Sequence, residues 1–234
     1  MKVPSDNPEA DVIDKLRKTV KTRLKACDRP VHLFKIEPGR AALVLIDMQM
    51  FACSPTDGVS FPRMGRVIKN INRLAAECRK LRIPVIWVRQ NITMNANRHN
   101  AGLYGRFHKP GALNDIANLG RGTQIAQGLA FDAGRDYEVF KNRYSAFLSH
   151  PPELENLLKR LGRDQLIVAG VAANVCVEST IRDAMQLDYE VVLVPDATTS
   201  FDAVLMEATL TNTRLFFGDV KRTVEVIREV KRHG

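Results

Sequence analysis

Aromatic residues are scarce. Phe, Trp and Tyr make up 6% of the 234 residues, and tryptophan occurs once. A binder of single-stranded nucleic acid interleaves aromatic stacking platforms among its cations, so the formal net charge of +9 does not point to a nucleic-acid partner. Much of the excess sits near the two ends, at Lys15, Arg17, Lys18, Lys21, Arg23 and Lys25, then at Arg228, Lys231 and Arg232. These lie within amphipathic helical patterns and read as solvated faces, in a field also suited to drawing in anionic substrates. No window approaches the roughly 20 apolar residues of a membrane span, and the N-terminus has no apolar signal region. A cytoplasmic location without membrane contact is the expectation. The four cysteines, Cys27, Cys53, Cys78 and Cys176, include no CxxC pair, which argues against a zinc knuckle or a disulfide framework. Gly120-Arg-Gly-Thr lacks the third glycine of a dinucleotide fingerprint, so no cofactor is expected. Internal repeats and low-complexity segments are missing too.

What is present is alternation. Residues 9–26 carry Val12, Ile13, Leu16, Val20 and Leu24 on one helical side, an arm that packs either on the core or on a neighbouring subunit. Ala41–Ile46 are six apolar residues in a row, as in a strand buried on both faces of a parallel sheet. A helix over Arg66–Leu81, a strand at Val85–Val88, a strand at Tyr137–Phe140 and a helix at Leu154–Leu161 follow. After a strand at Leu166–Ala169 and its helix, the pattern continues with strand Val191–Val194, helix Phe201–Asn212, strand Arg214–Phe217 and helix Lys221–Arg232. Strands alternating with crossover helices predict an α/β, doubly wound, Rossmann-like and mainly parallel six-stranded sheet, with helices on both faces. Residues 1–37 form the N-terminal arm and 38–234 a single domain. Arg89–Arg135 has no clear periodicity, and loops of that length are usually functional or disordered; it reads as the wall or lid of a pocket.

The most informative stretch is Leu166–Asp183, a strand closed by Gly170, a small-residue turn, and a helix with Cys176 in its first turn. Asn174 is a candidate N-cap. A helix start gathers free N–H groups and the positive dipole end, which favours a thiolate. A buried structural thiol is the alternative. Two further residues follow strands directly: Asp47 after Ala41–Ile46, and Lys141 after Tyr137–Phe140. In doubly wound sheets ligands bind beyond the carboxyl ends of the strands, so nucleophile, base and cation should open onto one edge. A carboxylate there can take a thiol proton and later return it to a leaving nitrogen, while the cation keeps that carboxylate ionised.

Three segments together resemble the isochorismatase-like cysteine hydrolases: VLIDMQ at Val44–Gln49, the lysine of FKNRYSAF, and GVAANVCVESTIRDA at Gly170–Ala184. The resemblance covers roughly residues 38–232. It implies Asp47 as general base, Lys141 as its partner and Cys176 as nucleophile. It further implies a cis peptide at Val171–Ala172 and an oxyanion hole made by the N–H groups of Ala172 and Cys176. Two departures stand out. Ala173 occupies a position where relatives commonly have Thr or Ser. The metal site of nicotinamidases has only His99 to represent it in RQNITMNANRHN, so no metal is expected. Cys176 itself argues against vinyl-ether hydrolysis, since isochorismatases proper lack that nucleophile. KNRYSAF and NVCVESTIRDA look closest to the ureidoacrylate-type amidohydrolases.

The implied activity is cleavage of a C–N bond in a small linear amide or carbamoyl (ureido) compound through a thioester, releasing ammonia. Gln90, Arg143 and Tyr144 flank the same strand ends and are candidate substrate contacts, with structural hydrogen bonding as the alternative role. The resemblance also implies a homo-oligomer, dimer or tetramer. Three other readings compete. One is a nicotinamidase- or isochorismatase-type hydrolase of the same fold. Another is a non-catalytic member that binds a small molecule or a partner protein. The third is a Cys–His hydrolase using His108 or His150, which would leave Asp47 without a role.

Overall fold

A computed structural model describes residues 7–53, 61–92, 106–107, 113–149 and 151–233. Six strands of these residues form one parallel sheet: β1 (Ala41–Ile46), β2 (Val85–Gln90), β3 (Tyr137–Lys141), β4 (Gln165–Gly170), β5 (Glu190–Thr198) and β6 (Asp219–Val220), in the order β3-β2-β1-β4-β5-β6. The chain winds outward from β1 to β3, then returns beside β1 and winds the other way. The order therefore reverses between β1 and β4, and the crevice of such a sheet opens at that point.

Successive side chains of a strand point to opposite faces, and β1 is covered on both. Leu43 and Leu45 join Trp87 and Ile167 against Ile71 and Leu74 of α3 (Met64–Lys80) and Val226 and Val230 of α7 (Thr223–His233). Val44 and Ile46 join Ile86 and Val168 against Leu154, Leu157 and Leu158 of α4 (Glu153–Leu161) and Ile181 of α5 (Glu178–Gln186). Complete burial of Ile71 and Leu74 contributes about 1.5–3 kcal/mol each. That exceeds the helix-propensity differences among ordinary residues, up to about 0.7 kcal/mol, so the apolar stripe decides where α3 forms.

The arm, α1 (Pro8–Ala26), starts at Asn7, whose Oδ1 accepts from the Glu9 and Ala10 amides. Its buried residues are Val20 and Leu24. Arg17 pairs with Glu207 of α6 (Ala203–Asn212) at 3.0 Å. Arg29 donates to the carbonyls of Arg214 and Leu215. In this chain the arm lies against its own α6; the remaining helix, the short α2 (Met50–Cys53), follows β1. Among the described residues no helix is long and apolar enough to cross a membrane.

One expected strand is something else. Thr213–Phe217 continues α6 as a wide helical turn, and the edge strand β6 begins only at Asp219. Strand-favouring side chains (Leu215, Phe216, Phe217) yield here to tertiary packing. Phe217 and Leu210 belong to the same core on one helical side, and Thr213 donates back to the Thr209 carbonyl at 2.8 Å. The break falls at Gly218, where a Cβ would lie 2.3 Å from the Val191 carbonyl. The 89–135 segment also carries more order than expected. Arg89 and Gln90 complete β2, Ile92 bridges Ala117, and short helical turns occupy Asn114–Ile116 and Arg121–Thr123. Residues 93–105 and 108–112, apart from 106–107, fall outside the described residues, as do His99, His108 and His150.

Where β4 meets the crevice, the backbone leaves no room for a side chain. Gly170 has φ +119, and a Cβ there would sit 2.1 Å from the Ile46 carbonyl oxygen. Only glycine takes that conformation without strain. Gly170→Ala should therefore cost at least about 3 kcal/mol of unfolding free energy, read as a lowered midpoint in urea denaturation.

Candidate active site

Each candidate residue is delivered by the end of a different strand. Asp47 follows β1 with φ +50, a left-handed conformation that aspartate tolerates better than most residues. Its N–H donates to the Val88 carbonyl at 2.9 Å, and its carbonyl accepts from the Gln49 amide at 2.8 Å. Lys141 is the last residue of β3, paired in register with Gln90. Cys176 lies in a wide helical turn, Ala173–Val177, between β4 and α5.

The three converge. Lys141 Nζ is 2.9 Å from Asp47 Oδ2 and donates to Cys176 Sγ at 3.4 Å. It also donates to the Arg143 carbonyl at 3.0 Å and to Gln90 Oε1. Lys141 is 1% exposed, while Asp47 and Cys176 are each 8% exposed. Burial works against the ammonium charge, but Asp47 and Cys176 more than offset it and hold the Lys141 pKa above its ordinary value. Burial pushes the Asp47 carboxyl up, with Lys141 pulling in the opposite direction. Burial, and after it the Asp47 charge, push the Cys176 thiol up. Lys141 is thus held as an ammonium and Cys176 as a neutral thiol, with the Asp47 carboxyl subject to opposing pulls from burial and from Lys141. The thiolate expected from the helix start is not favoured at rest: the desolvated pocket and the adjacent carboxylate outweigh the dipole. Asp47 Oδ1 is buried and makes no well-formed hydrogen bond among the described residues, which leaves one carboxylate oxygen open to accept the thiol proton.

The turn before the cysteine contains a cis peptide at Val171–Ala172, as the resemblance implied. The Ala172 carbonyl accepts from the Val175 and Val177 amides at 3.1 and 3.2 Å. Asn174 does not cap the helix. Ala172 occupies the N-cap position, and Asn174 Oδ1 accepts from Ser200 Oγ at 2.6 Å. The Ala173 amide is likewise engaged, donating to the Thr199 carbonyl at 2.8 Å. Residues 199–200, just past β5, therefore brace the turn. The helix therefore starts two residues earlier than an Asn174 cap would place it.

Isochorismatase domains match residues 41–225. The chain belongs to the isochorismatase family. A ureidoacrylate amidohydrolase of Pseudomonas syringae pv. syringae is 33% identical over 207 residues, spanning 81% of this chain and 83% of that protein. Nicotinamidase 3 of Arabidopsis thaliana is 33% identical over 178 residues, spanning 76% of this chain and 81% of its own. Among solved structures, a cysteine hydrolase from Pseudomonas syringae pv. phaseolicola superposes with a TM-score of 0.80 at 27% identity, covering 88% of this chain and 99% of that one.

In this isochorismatase-family chain, Gln90, Arg143 and Tyr144 stand around the cluster in different ways. Gln90 is buried, and its side-chain carbonyl accepts from Lys141, so its amide is tied to the cation. Arg143 and Tyr144 line a groove of about 700 Å³ together with Phe147, Leu148, Ser179 and Arg182. Burial raises the Tyr144 phenol above its ordinary value. Among the described residues no group of three His, Cys, Asp or Glu side chains is arranged as metal ligands.

Sequence reasoning missed Gln49. Its Oε1 accepts from the Gln90 amide at 2.6 Å and its Nε2 donates to the Gln90 carbonyl at 3.0 Å. That two-way clamp joins the loop after β1 to the end of β2, and so joins the Asp47 loop to the strand whose last residue holds Lys141. Its place two residues beyond Asp47 in VLIDMQ was the available signal. The loop is held on its other side by the 113–126 segment, through Met50 N–H to the Gln124 carbonyl at 2.8 Å and Ala126 N–H to the Met48 carbonyl at 3.1 Å.

Lys141→Met should leave Asp47 buried without its cation, destabilising the fold by about 3–5 kcal/mol at neutral pH. A carboxyl whose folded pKa is raised loses stability as pH rises from its ordinary 3.8 toward that raised value. Without Lys141 the raised value moves higher still. Thermal melts of the variant should therefore improve from pH 8 to pH 5. A loss of equal size at both pH values would contradict an ionised Asp47.

Proposed function

We propose that this isochorismatase-family hydrolase is a cysteine amidohydrolase that cleaves a C–N bond in a small linear amide or carbamoyl compound and releases ammonia. The observation that carries the reading is Lys141 Nζ standing at 2.9 Å from Asp47 Oδ2 and 3.4 Å from Cys176 Sγ in a buried cluster. An ammonium between a carboxylate and a thiol is costly to bury as mere scaffolding. It suits a site in which one proton passes back and forth between sulfur and oxygen.

In this mechanism Asp47 takes the thiol proton as Cys176 sulfur forms a bond to the substrate carbonyl carbon. Lys141 supports the negative charge while it resides on sulfur. The N–H groups of Ala172 and Cys176 receive the tetrahedral oxyanion; Ala172 N–H has no acceptor of its own among the described residues. Collapse breaks the C–N bond, and Asp47 gives its proton to the departing nitrogen, which leaves as ammonia. Water then attacks the thioester with Asp47 again accepting a proton, and that proton returns to the thiolate as it leaves. With a ureido substrate the product is a carbamate, which falls apart to carbon dioxide and amine.

Arg143 and Tyr144 line a groove, and a guanidinium there suits an anionic end of a linear substrate. The ureidoacrylate relative supports a ureido substrate. The nicotinamidase relative, also 33% identical, keeps a ring amide as the competitor, so an assay panel needs both. Residues 1–37 are assigned to an appended arm and 38–234 to the hydrolase domain, in line with a family match that begins at Ala41.

Cys176→Ala should abolish ammonia release while leaving the circular dichroism spectrum and melting midpoint close to those of the parent. Asp47→Asn should lose at least about a thousandfold in kcat. Substantial turnover by either variant would assign the chemistry to other groups.

The pH profile supplies a further expectation. Activity requires Asp47 ionised and Cys176 protonated before attack. Since Asp47 is raised above its ordinary 3.8, kcat/KM should climb with pH at a midpoint above that value. Since the thiol is raised above its ordinary 9.0, the alkaline fall should come later than for a free cysteine. An alkaline fall near pH 7 would argue for a preformed thiolate–acid pair.

A further inference from the structure

Thr180 carries no assigned role, yet it touches both halves of the candidate site. It lies one helical turn beyond Cys176 in α5, and its side chain is completely buried. Its hydroxyl donates to the Cys176 carbonyl at 2.7 Å. The same oxygen accepts from the Ala146 amide at 3.1 Å. Ala146 belongs to the segment that follows Lys141, where the Arg143 carbonyl takes one of the Lys141 ammonium protons at 3.0 Å.

A helical threonine that donates back to the carbonyl four residues earlier is ordinary, and that bond alone would carry no weight. The second bond spans 34 residues of sequence and joins two separate strand-end segments. A hydroxyl can donate once and still accept, so one buried group ties the turn bearing the sulfur to the loop bearing the lysine's acceptor. We infer that Thr180 is a positioning residue for the reaction proposed above: it sets the separation of Lys141 Nζ and Cys176 Sγ by bridging the Cys176 carbonyl and the Ala146 amide. This inference rests on that functional reading for its effect on turnover, and on geometry alone for its effect on the thiol.

Removing the hydroxyl leaves the Ala146 N–H and the Cys176 carbonyl without this partner inside the protein, so both segments shift to recover hydrogen bonds. The ammonium is then less well placed beside the sulfur when charge develops on it. The loss should appear in the chemical step, and substrate affinity should be spared. Serine keeps both bonds with a freer side-chain torsion, and so should restore function.

The test compares Thr180→Val and Thr180→Ser with the unaltered chain in two assays. The first is ammonia release with separate kcat and KM. The second is the rate at which iodoacetamide alkylates Cys176 in the folded protein, read on the Cys176 peptide by mass spectrometry. Thr180→Val should lower kcat by at least about tenfold with KM within about twofold, and slow alkylation by a similar factor. Thr180→Ser should return both to within about threefold of the unaltered chain. If Thr180→Val does not fold, Thr180→Ala, which also lacks the hydroxyl, takes its place with the same expected slowing. The inference is overturned if the hydroxyl-less variant matches the unaltered chain in alkylation, or if Thr180→Ser is as impaired as Thr180→Val. Alkylation needs no substrate. A chain inactive on every amide would therefore defeat the functional reading, and the ranking of alkylation rates would still judge Thr180.

Discussion

The buried ion pair between Lys141 and Asp47, 2.9 Å apart, is the constraint that the surrounding structure serves. Two charges taken out of water at this depth each carry a desolvation cost of several kcal/mol. They persist together only because their neighbours complete them. The three protons of the Lys141 ammonium are shared among four acceptors, Asp47, Gln90, the Arg143 carbonyl and Cys176. Gln49 holds Gln90 from the other side through two bonds. These bonds keep one cation and one carboxyl adjacent, with a thiol as the third member.

Topology makes that adjacency possible. Parallel strands deliver all their carboxyl ends to one edge, and the reversal of strand order between β1 and β4 opens a crevice there. Asp47 directly follows β1 and β4 leads into the Cys176 turn, so the proposed base and nucleophile come from the two strands that flank the reversal. Lys141 comes from the edge strand β3 and reaches inward across β2. That reach explains why Gln90, the β2 residue in register with it, accepts a hydrogen bond from the ammonium. Gly170 permits β4 to approach β1 closely enough for the turn to sit over the crevice.

Much of this was legible in the sequence, and the reasons are physical. Ala41–Ile46 and Leu166–Ala169 are apolar runs that only a doubly covered strand would carry, and a charged or reactive residue soon after such a run is conspicuous. The misreadings fall where local signals and tertiary packing disagree. Leu215, Phe216 and Phe217 favour a strand, yet packing of Phe217 with Leu210 prolongs a helix. Asn174 looks like a cap, but Ser200, 26 residues away, occupies its oxygen. Gln49 and Thr180 went unremarked because their partners, Gln90 and Ala146, are 41 and 34 residues distant; nothing in one sequence announces such a pairing. The pull of the helix start on the Cys176 thiol is outweighed for a related reason. A helix start is visible in sequence, whereas the depth of burial that overrides it is not.

The central claim is that Cys176 forms a covalent bond to the carbonyl carbon of an amide or ureido substrate, with Asp47 moving the proton. Its most direct test is intact-mass and peptide mass spectrometry of the protein mixed with such a substrate and quenched in acid within the first turnover. The account predicts an adduct on the Cys176 peptide with the mass of the substrate less ammonia, absent from Cys176→Ala. Ammonia release with no adduct on Cys176, or with an adduct on Cys27, Cys53 or Cys78 instead, would contradict it.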